Sequence, residues 1–132
     1  MKIAIIGAGN LGLSIAKGLI INNAVTTLYL TKRNTYSIEN WKEYENIYIT
    51  SDNRKAAINS DVLIISVQPG QVENVLLEIS GLLTENHIVI STVTGFKIKS
   101  IESIIGSDNF IIRSMPNTAI SVGKSITCIC SN

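Results

Sequence analysis

Residues 2–12 read Lys-Ile-Ala-Ile-Ile-Gly-Ala-Gly-Asn-Leu-Gly, an apolar run that passes directly into a Gly-x-Gly-x-x-Gly turn. A β-strand, this turn and a helix are the opening of a nucleotide-binding βαβ unit. Gly7 allows the tight turn, Gly9 keeps side-chain atoms away from a pyrophosphate, and Gly12 lets the helix pack close to the sheet. The N–H groups and positive dipole end of that helix then face the phosphates. Glycines alone are common in loops. Here Ile3 to Ile6 precede them and an apolar helical pattern, Leu13 to Ile20, follows, which is the context the motif requires. Residues Gly7, Ala8, Gly9, Asn10, Leu11 and Gly12 are therefore candidate cofactor contacts.

The remainder alternates strand-like and helix-like segments, which predicts a doubly wound, Rossmann-type α/β fold with a predominantly parallel sheet. Strands are expected at 25–30, 47–50, 61–67, 87–92, 110–113 and 125–130, and helices at 10–22, 37–45, 53–59, 71–83 and 97–105. Residues 61–67 are apolar almost throughout, as in a central strand covered on both faces. Only 117–124 separates the last two strands, too short for a crossover helix, so the last strand should run antiparallel to its neighbour. At 132 residues the chain suits one domain.

Composition removes several function classes. A formal net charge of +1 with 16% charged residues offers no field for nucleic acid or an anionic membrane. The apolar start is broken by Gly7, Gly9, Asn10 and Gly12, and Lys17 follows, so it reads as neither leader nor membrane span. Cys128 and Cys130 share one face of a strand, which favours packing over a bridge or a metal site. A reduced, cytoplasmic protein without a bound metal is expected.

The end of the second strand selects the cofactor. A fold that prefers NAD carries Asp or Glu there, on the ribose 2′-hydroxyl. This chain has Thr31, Lys32, Arg33 and Asn34, and the nearest acidic residue is Glu39. A carboxylate would repel a 2′-phosphate, whereas the planar Arg33 guanidinium matches one. NADP(H) is the expected cofactor.

Three further segments carry a family resemblance. Ser66-Val67-Gln68-Pro69, Ser91-Thr92-Val93-Thr94-Gly95-Phe96 and Arg113-Ser114-Met115-Pro116-Asn117-Thr118, with the glycine loop, resemble the N-terminal domain of pyrroline-5-carboxylate reductases along nearly the whole chain. The resemblance implies NADPH-dependent reduction of Δ1-pyrroline-5-carboxylate to proline, by hydride transfer to a cyclic imine. It also implies that Asn53 contacts the adenosine ribose, and that Ser66, Val67, Gln68 and Pro69 line the cofactor near its ribose and phosphates. By the same match, Thr92, Val93, Thr94 and Gly95 approach the nicotinamide, and Asn117 sits between nicotinamide and substrate. Gln68 stands where the family usually has Lys.

The family's helical half, which dimerises and completes the imino-acid pocket, is missing from these 132 residues. The domain alone is thus expected to be inactive, and the complete protein to act as a homo-oligomer on a small imino acid. Two other readings remain open: a related NADP-dependent hydroxy- or keto-acid reductase, and a non-catalytic dinucleotide-binding module. His87 and Asp61 fall at the far edge of the sheet, so no residue is assigned as a catalytic acid.

Overall fold

A computed structural model of the chain describes residues 1–116, 120 and 125–132. Among these residues seven strands form one sheet: β1 (Lys2–Ile6), β2 (Thr27–Thr31), β3 (Ile47–Thr50), β4 (Val62–Ile65), β5 (Ile88–Ser91), β6 (Phe110–Pro116) and β7 (Thr127–Ser131). Their spatial order is β3-β2-β1-β4-β5-β6-β7. Every pairing is parallel except β6 with β7, which is antiparallel as the short connection requires. Among the described residues four α-helices accompany the sheet: α1 (Asn10–Ile21), α2 (Asn53–Ile58), α3 (Val72–Ser80) and α4 (Ile98–Ile105).

The central strands show why both faces had to be covered. On β1, Ile3 and Ile5 join one core while Ala4 and Ile6 join the other, following the two-residue period of a strand. The same split recurs on β4, where Val62 and Ile64 face one side and Leu63 and Ile65 the other. The core of Ala4 and Ile6 is completed by Ala56 and Ala57 of α2, Leu76 and Ile79 of α3, and Ile101 of α4. The core of Ile3 and Ile5 takes Ala16 of α1 together with Leu28, Leu30 and Ile38. Continuous apolar runs are what a sheet buried on two sides demands.

Several boundaries differ by one or more residues from those read along the chain, and three of the differences have a clear physical reason. Residues 35–43 form 3-10 turns kinked at Ile38 rather than an α-helix. The spacing of Ile38, Trp41 and Tyr44 by three is the 3-10 repeat, and it places Ile38 in the core. The stretch read as a fourth strand over 61–67 pairs only over Val62–Ile65, because Ser66 and Val67 turn away at the carboxyl edge. Strand β6 is longer than expected and reaches Pro116, since Ser114, Met115 and Pro116 pair with Ile129, Cys128 and Thr127.

The expected packing of the last strand's cysteines is corrected. Cys128 and Cys130 do lie two apart on β7, but both are free and exposed, as is every residue of that strand. Strand β7 is an edge with no helix over it among the described residues, so alternation there buries nothing.

Candidate functional site

The carboxyl ends of β1, β2, β3 and β4 open into a cleft of about 560 Å³. One wall is the glycine loop, with Gly7, Ala8 and Gly9, and a second is the β2 end, with Thr31, Lys32, Arg33 and Asn34. Ser51 and Asn53 follow β3, and Ser66, Val67 and Gln68 follow β4. Residues Gln71, Asn74, Val75 and Glu78, from the 3-10 turn at Pro69–Gln71 and from α3, close the remaining side. In an open α/β sheet this crevice, where the chain crosses from β3 to β4, is where ligands sit.

The three motif glycines have separate reasons to be glycine. Gly7 has φ +95°, and a Cβ there would stand 2.6 Å from Val67 Cγ1 and 2.8 Å from the Ser66 carbonyl oxygen. A Cβ on Gly12 would meet the Gly7 carbonyl oxygen at 2.6 Å, so the start of α1 lies hard against the turn. Gly9 is different: nothing lies within 4 Å of its would-be Cβ. Its side-chain position is empty space at the mouth of α1.

The loop's own amides are already engaged. Gly7 N–H donates to Thr31 Oγ1 at 3.2 Å, Ala8 N–H to the Thr31 carbonyl at 2.8 Å, and Gly9 N–H to the Gly7 carbonyl at 2.8 Å. The helix behaves otherwise. Gly9 is its N-cap and supplies no side-chain acceptor, and Leu13 N–H is the first to return to the Gly9 carbonyl. The N–H groups of Asn10, Leu11 and Gly12 therefore have no intrahelical partner. No acidic side chain occupies the first turn. The positive end of α1 is open to an anion.

Two cations stand across from it. Lys32 is half-buried and Arg33 exposed, and neither forms an ion pair among the described residues. Ser66 Oγ is buried without a hydrogen-bond partner there. An uncapped helix start, unpaired cations and an orphaned hydroxyl in one cleft fit a phosphate-bearing dinucleotide.

Other predicted residues are placed differently. Thr31 is only 2% exposed and its hydroxyl is committed inside the protein, so it offers a ligand little beyond its position. Asn53 heads α2, whose N-cap Asp52 accepts from Lys55 N–H at 3.0 Å. Pro69 opens the 3-10 turn beside the cleft. Thr92 and Val93 are buried: the Thr92 hydroxyl donates to the Ile65 carbonyl at 3.0 Å, and Val93 joins the core. Thr94 and Gly95 are exposed beyond β5, with Gly95 at φ +80°, and this segment does not line the cleft. Asn117 lies outside the described residues.

Ser51 and the α3 face were missed. Gln71, Asn74 and Glu78 recur at spacings of three and four opposite the buried Val72, Leu76 and Ile79, a polar stripe on an otherwise apolar helix. That stripe was the available signal. His87 and Asp61 stand at the far edge, as read: the Thr84 N–H donates to His87 Nδ1 at 2.9 Å, and the Lys2 N–H to Asp61 Oδ2 at 2.9 Å. No group of three or more metal-ligating side chains occurs among the described residues, and no described helix is long and apolar enough to cross a membrane.

Sheet order, switch point and glycine loop together define a Rossmann-type domain. A family model described as "NADP oxidoreductase coenzyme F420-dependent" matches residues 2–95. Pyrroline-5-carboxylate reductase 2 of Dictyostelium discoideum is 44% identical over 132 residues, covering 97% of this chain and 44% of the relative. Among solved structures, a pyrroline-5-carboxylate reductase from Coxiella burnetii superposes with a TM-score of 0.92 at 34% identity, covering 99% of this chain and 49% of that one. The Plasmodium falciparum pyrroline carboxylate reductase, solved with NADP bound, gives 0.83 at 28% identity, covering 100% of this chain and 48% of that one. The chain belongs to the pyrroline-5-carboxylate reductase family, within that broader oxidoreductase group. It spans about half the length of these relatives, or somewhat less.

Proposed function

We propose that this chain is the NADP(H)-binding half of an enzyme that reduces Δ1-pyrroline-5-carboxylate to proline. The observation that carries the reading is the end of β2, where Lys32 and Arg33, with no carboxylate beside them, share one cleft with the open start of α1. In this reading the N–H groups of Asn10, Leu11 and Gly12 receive the pyrophosphate, and Arg33 with Lys32 receives the 2′-phosphate. Asn53 lies beside the adenosine ribose, and Ser66, Val67, Gln68 and Pro69 run along the ribose and phosphates. Thr94 and Gly95 lie toward the nicotinamide end.

The bound nicotinamide supplies the hydride, which the imine carbon accepts while its nitrogen takes a proton. This chain's residues bind and orient the cofactor. A helical second half, a homo-oligomeric whole and a cytoplasmic location belong to the same proposal.

Titrating NADPH and NADH against the chain tests the cofactor. NADPH should bind about tenfold tighter or more, the scale of one charge-assisted contact. Arg33→Ala should remove that preference while leaving NADH binding in place. Equal affinities in the unaltered chain, or a preference that survives the substitution, would overturn it. The substrate is tested by NADPH consumption by the complete gene product with Δ1-pyrroline-5-carboxylate and with keto acids of similar size. Turnover confined to a keto acid would point to the related reductases, and tight binding without turnover to a non-catalytic module.

A further inference from the structure

Three hydrogen bonds link the glycine loop to α3 on the opposite wall of the cleft. Gly7 N–H donates to Thr31 Oγ1 at 3.2 Å, the Thr31 hydroxyl donates to Asn53 Oδ1 at 2.7 Å, and Asn53 Nδ2 donates to Glu78 Oε2 at 2.9 Å. The direction of this relay is not arbitrary. An ionised carboxylate only accepts, so the amide of Asn53 must turn its NH2 toward Glu78 and its oxygen toward Thr31. A hydroxyl facing an amide oxygen must donate, which leaves its lone pairs for the Gly7 amide. The Gly7 amide can only donate, so the relay has a fixed donor at one end and a fixed acceptor, Glu78, at the other.

Glu78 is itself held in place. Its backbone carbonyl accepts from Arg54 Nη1 at 3.1 Å, so consecutive residues of α2 grip both ends of the same glutamate. At the other terminus, Gly7 sits at positive φ and Gly12 presses on its carbonyl oxygen. A small movement of Gly7 therefore moves the open end of α1.

We propose that Glu78 is a positioning residue for the glycine loop: its carboxylate holds the Asn53 amide with its oxygen toward Thr31, and so anchors the hydroxyl that receives the Gly7 amide. The proposal rests on the dinucleotide reading of this cleft for its effect on binding, but the relay itself exists without ligand. Glu78 acts through other residues and does not touch the phosphates.

Amide hydrogen exchange in the ligand-free chain reads the relay directly. Glu78→Ala should speed exchange at Gly7 about fivefold, the value of one ordinary hydrogen bond, and leave the buried Val89 amide unchanged. Glu78→Gln, which keeps an acceptor for Asn53, should restore slow exchange, whereas Glu78→Lys, which only donates, should not. Equal acceleration at Gly7 and Val89 would mean general loosening and would overturn the proposal, as would no change at Gly7. NADPH titration supplies the second readout. Glu78→Ala and Thr31→Val should each weaken binding about fivefold, and the double variant no more than the worse single one, because both cut one relay. Multiplying effects would overturn the coupling. If the unaltered chain failed to bind NADPH while Gly7 exchange still responded, the cofactor reading would fall and the relay would stand.

Discussion

The two ends of the sheet are built on different terms. Around β1, β2 and β4, side chains alternate into two cores, and the loops at the carboxyl edge are tied down by backbone and side-chain hydrogen bonds. Around β7 every residue is exposed, with Ile126 at 79% and Ile129 at 72%. Both regions are apolar in sequence, yet only one uses that character within the described structure. Hydrophobicity marks where a strand wants cover, and the cover has to come from somewhere else in the fold.

That contrast can be broken most sharply at Gly12. A Gly12→Val chain should lose about 2–4 kcal/mol of stability, because its Cβ would overlap the Gly7 carbonyl, a backbone atom that cannot yield. Urea unfolding measures the loss, and an unchanged midpoint would show the loop to be looser than its hydrogen bonds indicate. Gly9 should separate folding from binding. Gly9→Ser places a hydroxyl in open space at an extended N-cap, where it can cap α1. Stability should hold or rise by a few tenths of a kcal/mol, while NADPH affinity falls about tenfold because the hydroxyl takes the phosphates' donors. Thermal melting and a binding titration on the same sample decide it. The smallest effect belongs to β7. Ile129→Ser should change stability by less than about 0.5 kcal/mol and reduce self-association of the chain at high concentration, followed by sedimentation. A large loss would mean that β7 is buried after all.

Legibility in the sequence followed the same division. The glycine loop, the basic end of β2 and the alternation of strands and helices were readable because each depends on local spacing and on residues whose backbone or charge permits few alternatives. The bounds of β3 could be read for the same reason. The extension of β6 to Pro116 could not, since it depends on pairing with β7. Thr31 was assigned to the cofactor from its position, but its hydroxyl faces inward because Asn53, 22 residues further on, supplies its acceptor. Glu78 was overlooked because its partner lies on another helix. Long-range partners decide what a polar side chain does, and one sequence does not announce them.

The order in which the cleft's walls occur along the chain also bears on biosynthesis. Its lining comes from the glycine loop, then the ends of β2 and β3, then the turn after β4, and last from α3 as far as Glu78. Strand β1 acquires its neighbour β4 only when Val62 can reach Ile3. A nascent chain therefore exposes the glycine loop long before it owns a pocket, and the full lining exists only once residue 78 has left the ribosome.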